Sequence, residues 1–201
     1  MKRDKPEERL FRVAAVQGGY FTAFQAREAG YIETNHTYHV LSGNWIREWR
    51  GVYRLSRFPL AEDSQYSLWG VWSMNRKGIV QGVYSHETAL NLFGLSDVQP
   101  ERLHMTFPRG HKRNGEIPNT LILHHADIDP LECEERMGYR VTIPFRTMAD
   151  LLRSMTLSPE LIRQAFEEAL RTGALTMLQF QTLREAPRIG VRLKMCMGEK
   201  G

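Results

Sequence analysis

The sequence predicts an α+β protein in two parts: three short helices and a β-hairpin over residues 1–58, then a larger mixed α/β domain over residues 59–201. Three observations predict it. Apolar-periodic segments, each with a cap and a glycine stop, run from Pro6 to Gly43. Two strand-forming runs then flank Arg50–Gly51. Beyond Pro59, strand-like and helix-like patterns alternate to the carboxyl end.

In PEERLFRVAAVQGG, Leu10, Val13, Ala14 and Val16 recur at helical spacing, and Gly18–Gly19 stops the helix. In TAFQAREAG, Thr22 caps a two-turn helix, Gln25 completes a capping box and Gly30 supplies the left-handed end. Thr34 or Asn35 caps a third helix through NHTYHVLSG, ended by Gly43. That helix exposes Asn35, His36, Thr37, Tyr38 and His39 and turns Val40 and Leu41 inward. Trp45–Trp49 and Val52–Leu55 then form the hairpin. Helix, glycine-containing turn, helix and hairpin outline a winged helix-turn-helix.

Net charge is only +4, and its distribution carries more than its size. Residues 1–58 hold ten Lys/Arg against six Asp/Glu, whereas residues 59–201 hold seventeen of each. Arg47, Arg50, Arg54 and Arg57 fall within the hairpin and its exit, beside one acid, Glu48. Such a ridge attracts phosphate backbones through counterion release. Its plain alternative is a solvated turn, since helix-turn-helix outlines are common and arginine keeps hairpins soluble.

The second part opens with the linker FPLAEDSQ. SQYSLWGVWSM reads as a helix burying Leu68, Val71 and Trp72, and Ile79–Tyr84 as a strand. Ser85 caps a helix to Phe93, with Gly94 as its stop. RLHMTF alternates Leu103, Met105 and Phe107 against His104 and Thr106, a half-buried strand. NTLILHHADI is a second such strand, with Leu121 and Leu123 opposite Ile122. GYRVTI turns through Pro144 into a helix where Thr147 and Asp150 match a capping box. Ser158 caps the helix SPELIRQAFEEALRTG, whose stripe is Leu161, Ile162, Ala165, Phe166, Ala169 and Leu170. TMLQFQTLRE is a last short helix.

The chain has 201 residues, 42% of them hydrophobic, enough for real cores. No run approaches the ~18 apolar residues of a membrane span. The charged amino terminus lacks a signal peptide's apolar run, and the two cysteines, Cys133 and Cys196, are far apart. The expectation is a cytoplasmic protein with reduced thiols and no membrane partner. His86, His104, His111, His124 and His125 invite a metal hypothesis. No HExxH or paired CxxC accompanies them, so they read as surface or satisfied core residues, with no metal and no cofactor. Ser85–His86 lacks a nucleophile elbow, no phosphate loop occurs, and no catalytic residue is assigned. Arg109, Lys112 and Arg113 read as a solvated basic loop, able to touch DNA or an acidic partner. A metal-dependent hydrolase or nuclease using the second domain's histidines is the competing function.

Several segments in fixed order resemble the AbiEi-type antitoxins, also described as transcriptional regulators of type IV toxin–antitoxin systems. They are GNWIREWRGVYR (43–54), YSHETALNLFGL (84–95), LHMTFPRG (103–110) and TIPFRTMADLL (142–152). The resemblance covers about residues 10–190. It implies an amino-terminal winged helix that binds inverted repeats in double-stranded DNA of its own promoter. It also implies a second domain that counters a nucleotidyltransferase-like toxin without a stable complex. Carried over by residue, Asn35, His36, Thr37, Tyr38 and His39 match the recognition helix, and Arg47, Arg50 and Arg54 the basic wing. Thr22 caps the helix that crosses the backbone. Arg146 and Asp150 match a recurring pair in the second domain, with Asp150 a cap and Arg146 its ion-pair partner. The family's recognition helix is often arginine-rich and NHTYHVLSG has no arginine, which moves weight onto the wing. Relatives with a nuclease-like tail carry paired acids and a lysine, a constellation that the end of this chain, GVRLKMCMGEKG, lacks.

Overall fold

The computed structural model describes residues 4–112 and 115–199. Arg113 of the basic loop lies outside them. Among the described residues no helix is long and apolar enough to cross a membrane. The chain is a mixed α+β structure that divides into two compact units, Met1–Gly82 with Glu135–Arg140, and Val83–Glu134 with Val141–Gly201.

In the first unit, α1 (Pro6–Ala15) starts on a proline and buries Leu10 and Ala14; Val16, expected on the same stripe, is exposed. A three-residue strand β1 (Tyr20–Thr22), not anticipated from the sequence, leads into α2 (Ala23–Ala29). Thr22 and Gln25 form the expected capping box, the Gln25 amide donating to Thr22 Oγ1 at 3.1 Å, and Gly30 closes α2 in the left-handed region. A 3-10 turn (Glu33–Asn35) precedes α3 (His36–Leu41), with no side-chain cap at its start. The hairpin strands are β2 (Trp45–Trp49) and β3 (Val52–Leu55), and Gly51 between them has φ 76°, a value that favours glycine. The antiparallel sheet runs β1-β3-β2. Phe21, Trp45 and Tyr53 form its aromatic centre, and the Phe21–Trp45 edge contact at 5.0 Å adds about 0.5–1.5 kcal/mol beyond area burial.

The expected boundary after residue 58 is corrected: α4 (Ser64–Trp72) belongs to the first unit. Its Trp69 packs edge-on against Trp49 at 5.5 Å, and Ser67 Oγ donates to the Met137 carbonyl at 2.7 Å. Aromatic burial outweighs the linker-like composition of residues 58–65.

The five-stranded sheet, whose strands β4, β5 and β6 lie in the second unit, runs in the order β6-β5-β4-β8-β7. These are β4 (Val83–Tyr84), β5 (Leu103–Phe107), β6 (Leu121–His125), β7 (Cys133–Arg136) and β8 (Tyr139–Thr142). The strand expected over Ile79–Tyr84 shrinks to its last two residues, because Asn75 Oδ1 accepts the amides of Lys77 and Ile79 and turns the chain. β5 is not half-buried as expected. All five residues are covered, since it lies between β6 and β4 and α5 (His86–Phe93) lies over its His104 and Thr106 face. The apolar core gathers Leu90 of α5, Met148 and Leu151 of α6 (Pro144–Ser154), and Ile162 and Phe166 of α7 (Pro159–Thr172). Phe180 of α8 (Met177–Glu185) and Leu193 of α9 (Ile189–Cys196) complete it. Ser158 caps α7 as expected, and of the expected stripe only Leu161 and Leu170 stay half-covered.

The capping role expected of Thr147 and Asp150 is corrected. The cap of α6 is Ile143, and Thr147 Oγ1 instead donates to the Thr142 and Ile143 carbonyls. Asp150 accepts from Arg146 Nε at 3.0 Å on both oxygens and from Arg153 Nη1 at 3.0 Å on Oδ1. Arg146 also reaches Glu132 Oε2 at 2.5 Å and the Asp127 carbonyl at 3.3 Å. Burial pushes the Arg146 pKa down, but Asp150 and Glu132 more than reverse it.

Candidate nucleic-acid interface and a histidine cluster

Two places gather chemistry. The first is the stretch from α2 to the hairpin. Asn35, Thr37 and Tyr38 are exposed, Tyr38 by 65%, so these three members of the expected recognition face stand in solvent. His36 does not. It is 4% exposed, packed against Trp45 and Tyr53, and its Nε2 finds no hydrogen-bond partner. Burial pushes its pKa down. His39 is half-buried, its ring stacked on Trp45 at 4.6 Å, which joins α3 to the root of β2. Both histidines therefore serve packing, correcting their expected exposure. Leu41, expected inward, is 83% exposed, because α3 ends there and the chain turns at Ser42.

Among the hairpin cations, Arg47 and Arg50 are exposed, and so is Arg57 beyond it. Arg54 is 7% exposed: its Nε donates to Glu48 Oε1 at 2.7 Å and its Nη1 reaches the Phe58 carbonyl at 3.5 Å. Strand order explains the split. Arg54 pairs with Tyr20 of β1 in the middle strand, whereas Arg47 lies on the outer strand β2 and Arg50 at the turn. Arg54 is thus a structural ion pair, not part of an exposed ridge. Thr22 is half-buried and engaged in its cap.

The second place is in the carboxyl-terminal unit. The sequence scatters His86, His104 and His124, and the fold brings them together. One ring nitrogen from each lies within 4.8 Å of the other two. In the parallel β5–β6 pair, His104 stands opposite Ile122 and Thr106 opposite His124, so period-2 alternation puts both histidines on one face. His86, the first residue of α5, comes in over that face with a left-handed φ of 52°, uncommon for a side-chain-bearing residue. Its ring stacks on His124 at 3.8 Å, and His124 Nε2 lies 3.1 Å from His104 Nδ1. Around the cluster, Ser85 Oγ meets His86 Nδ1 at 2.9 Å and Thr106 Oγ1 at 2.7 Å. Glu87 stands 3.8 Å from His104 Nε2.

Burial, then the neighbouring histidines and Arg146, pushes His86 down to about 3; burial and Arg102 push His104 down to about 4. His124 is lowered by burial and by His104, against the raising pull of Asp150 and Glu87. The rings are neutral near pH 7, so His104 and Glu87 are not an ion pair there. Neutral imidazole is the form that ligates metals. The reading of these three as unrelated residues is corrected in its geometry. The signal that could have found them is faint: two histidines at matching parity in adjacent strands, and a third directly after a cap position. Of the other two, His125 is exposed and His111 stacks on Phe107 at 4.5 Å.

No family model matches the chain, and no curated protein matches it. Among solved structures it is similar to the crystal structure of RV2827C protein from Mycobacterium tuberculosis, at 13% identity and a TM-score of 0.58. That likeness covers 98% of this chain and 78% of the other, and it concerns the fold.

Proposed function

We propose that this chain is a sequence-specific, double-stranded-DNA-binding repressor whose amino-terminal unit is a winged helix-turn-helix. The observation that carries the reading is a pair of exposed cations, Arg47 and Arg50, on a hairpin that follows directly on α3, whose exposed face offers Asn35, Thr37 and Tyr38. α2 and α3 form the helix-turn-helix and the β2–β3 hairpin the wing. The arginines meet phosphates and fix register. Asn35, which can pair with adenine through its amide, and Tyr38 read the groove. His39 supports this face from behind through its stack on Trp45.

Fluorescence anisotropy against the DNA upstream of the chain's own reading frame tests the proposal. Binding is expected to weaken linearly in log affinity against log salt. Removing two phosphate contacts in the Arg47→Ala/Arg50→Ala variant flattens that slope by about 2. Arg54→Ala behaves differently: it loses the buried pair with Glu48 and lowers stability by about 1–3 kcal/mol. A double variant with wild-type affinity and slope would sink the proposal.

On the strength of the family resemblance, the repressor acts as the antitoxin of a type IV abortive-infection system whose toxin is nucleotidyltransferase-like. Co-expression with a neighbouring nucleotidyltransferase is the test: growth arrest unrelieved by this chain ends that part of the reading. The competing reading, a metal-dependent hydrolase or nuclease, would use the three clustered histidines. Their burial weighs against it, since His86 and His104 offer almost no surface to a polymeric substrate. Cleavage of DNA with Mg²⁺ or Mn²⁺, lost on His124→Ala, would favour it.

A further inference from the structure

We propose that His86, His104 and His124 form a zinc site that pins the start of α5 to strands β5 and β6. The argument begins with distance. Two nitrogens each about 2.0–2.1 Å from a tetrahedral zinc stand roughly 3.3 Å apart. His124 Nε2 and His104 Nδ1 are already 3.1 Å apart, and one ring nitrogen from each of the three histidines lies within 4.8 Å of the others.

One outer contact already matches what a metal site needs, and a carboxylate stands near the place for a second. A ligating histidine holds its tautomer by donating its other N–H to a carboxylate or hydroxyl. The Glu87 carboxylate stands 3.8 Å from His104 Nε2, close enough to accept its N–H after a small shift, and His104 Nδ1 faces His124. His86 has Ser85 Oγ at its Nδ1, which leaves Nε2. Ser85 is itself fixed by Thr106. His86 thus has its Nδ1 hydrogen-bonded outward, and His104 turns its Nδ1 to His124. Without metal, one proton lies between His104 Nδ1 and His124 Nε2; metal entry moves it to the outer nitrogen of the same ring, a change of tautomer with no net proton loss from neutral imidazoles.

Chemistry and backbone agree with the geometry. Three imidazoles suit zinc, copper or nickel rather than magnesium or calcium. The absence of a thiolate from the group, with Glu87 and Asp150 nearby to offset Arg146, fits zinc with a water in the fourth position. The left-handed backbone at His86 belongs to a class that persists where the surroundings fix it and that collects at ligand sites.

The experiment uses tag-free, full-length protein stripped with a chelator and then titrated with Zn²⁺ against a chromophoric competitor. One Zn²⁺ per chain and a raised melting temperature are expected, and Co²⁺ should give the visible bands of a tetrahedral nitrogen site. His124→Ala, at the half-buried position, should weaken Zn²⁺ binding by at least ~100-fold. Glu87→Gln, which keeps all three ligands, should weaken it ~10–100-fold. His125→Ala, an exposed neighbour, should bind as the wild type does. Wild-type protein that takes up no zinc at micromolar concentration overturns the proposal without recourse to any variant. So does a folded His124→Ala that binds as tightly as the wild type. Neither result touches the DNA-binding reading, which uses other residues.

Discussion

At the scale of single residues, His36 shows how burial converts a surface expectation into a stability term. Its ring sits among Trp45 and Tyr53 with Nε2 unpartnered, so the native state resists protonating it. The sign follows. Its folded pKa lies below the unfolded value of about 6.5, so the unfolded chain takes up the proton first as pH falls. The stability is fully present above about pH 6.5 and is lost as pH drops toward the lowered native value. All four tryptophans, Trp45, Trp49, Trp69 and Trp72, lie in the amino-terminal unit, so their fluorescence reports that unit alone. The urea midpoint read by tryptophan should fall between pH 7 and pH 5 in the wild type, and His36→Phe should flatten that fall. An equal pH dependence in both proteins would mean that His36 is not the sensitive group. Sequence could not separate His36 from Asn35 and Thr37: a six-residue helix has too few turns to define an apolar stripe, and histidine suits either side. The same holds for Arg54 against Arg47, where only the order β1-β3-β2 decides which arginine sits in the middle strand.

At the scale of elements, legibility followed local chemistry. The hairpin limits, the α2 capping box and the Ser158 cap could be read from sequence because each depends on residues within four positions of one another. β1, β7 and α9 escaped because β1 is three residues long, β7 reads CEER and α9 mixes basic with apolar residues. Their partners, not their patterns, make them regular. α4 makes the point most sharply. Its Gly70 lies where an added Cβ would collide with the Gly138 carbonyl oxygen and would stand 2.7 Å from Tyr139 Cβ. The glycine permits close approach within the helix, a role that spacing in α4 does not reveal. Gly70→Ala removes a helix-disfavouring residue yet should destabilise, by about 1–3 kcal/mol, because backbone must move to admit the methyl group. A denaturant midpoint at or above wild type would show that α4 can slide to accept it.

For the whole molecule, the lesson is that a unit of the fold need not be a continuous stretch of chain. Sequence placed a boundary after residue 58, where composition turns linker-like. The compact unit instead runs to Gly82 and takes in Glu135–Arg140 from far downstream. Those six residues cover one side of α4: Ser67 Oγ donates to the Met137 carbonyl, Tyr66 lies against Tyr139 at 5.6 Å, and Gly138 packs on the Gln17 backbone. A fragment ending at residue 82 keeps every residue proposed to meet DNA, yet it uncovers the buried Tyr66, Ser67 and Gly70. It should therefore melt below the full chain by several degrees, since a loss near 1 kcal/mol moves a domain of this size by roughly 4–8 °C. Tryptophan fluorescence reads both proteins on the same unit. Its DNA affinity at low temperature, where the fragment is folded, should stay close to that of the full chain, because the phosphate contacts assigned to Arg47 and Arg50 remain. A fragment as stable as the full chain would return the boundary toward residue 58. One that is folded but no longer binds would place part of the DNA contact elsewhere in the protein.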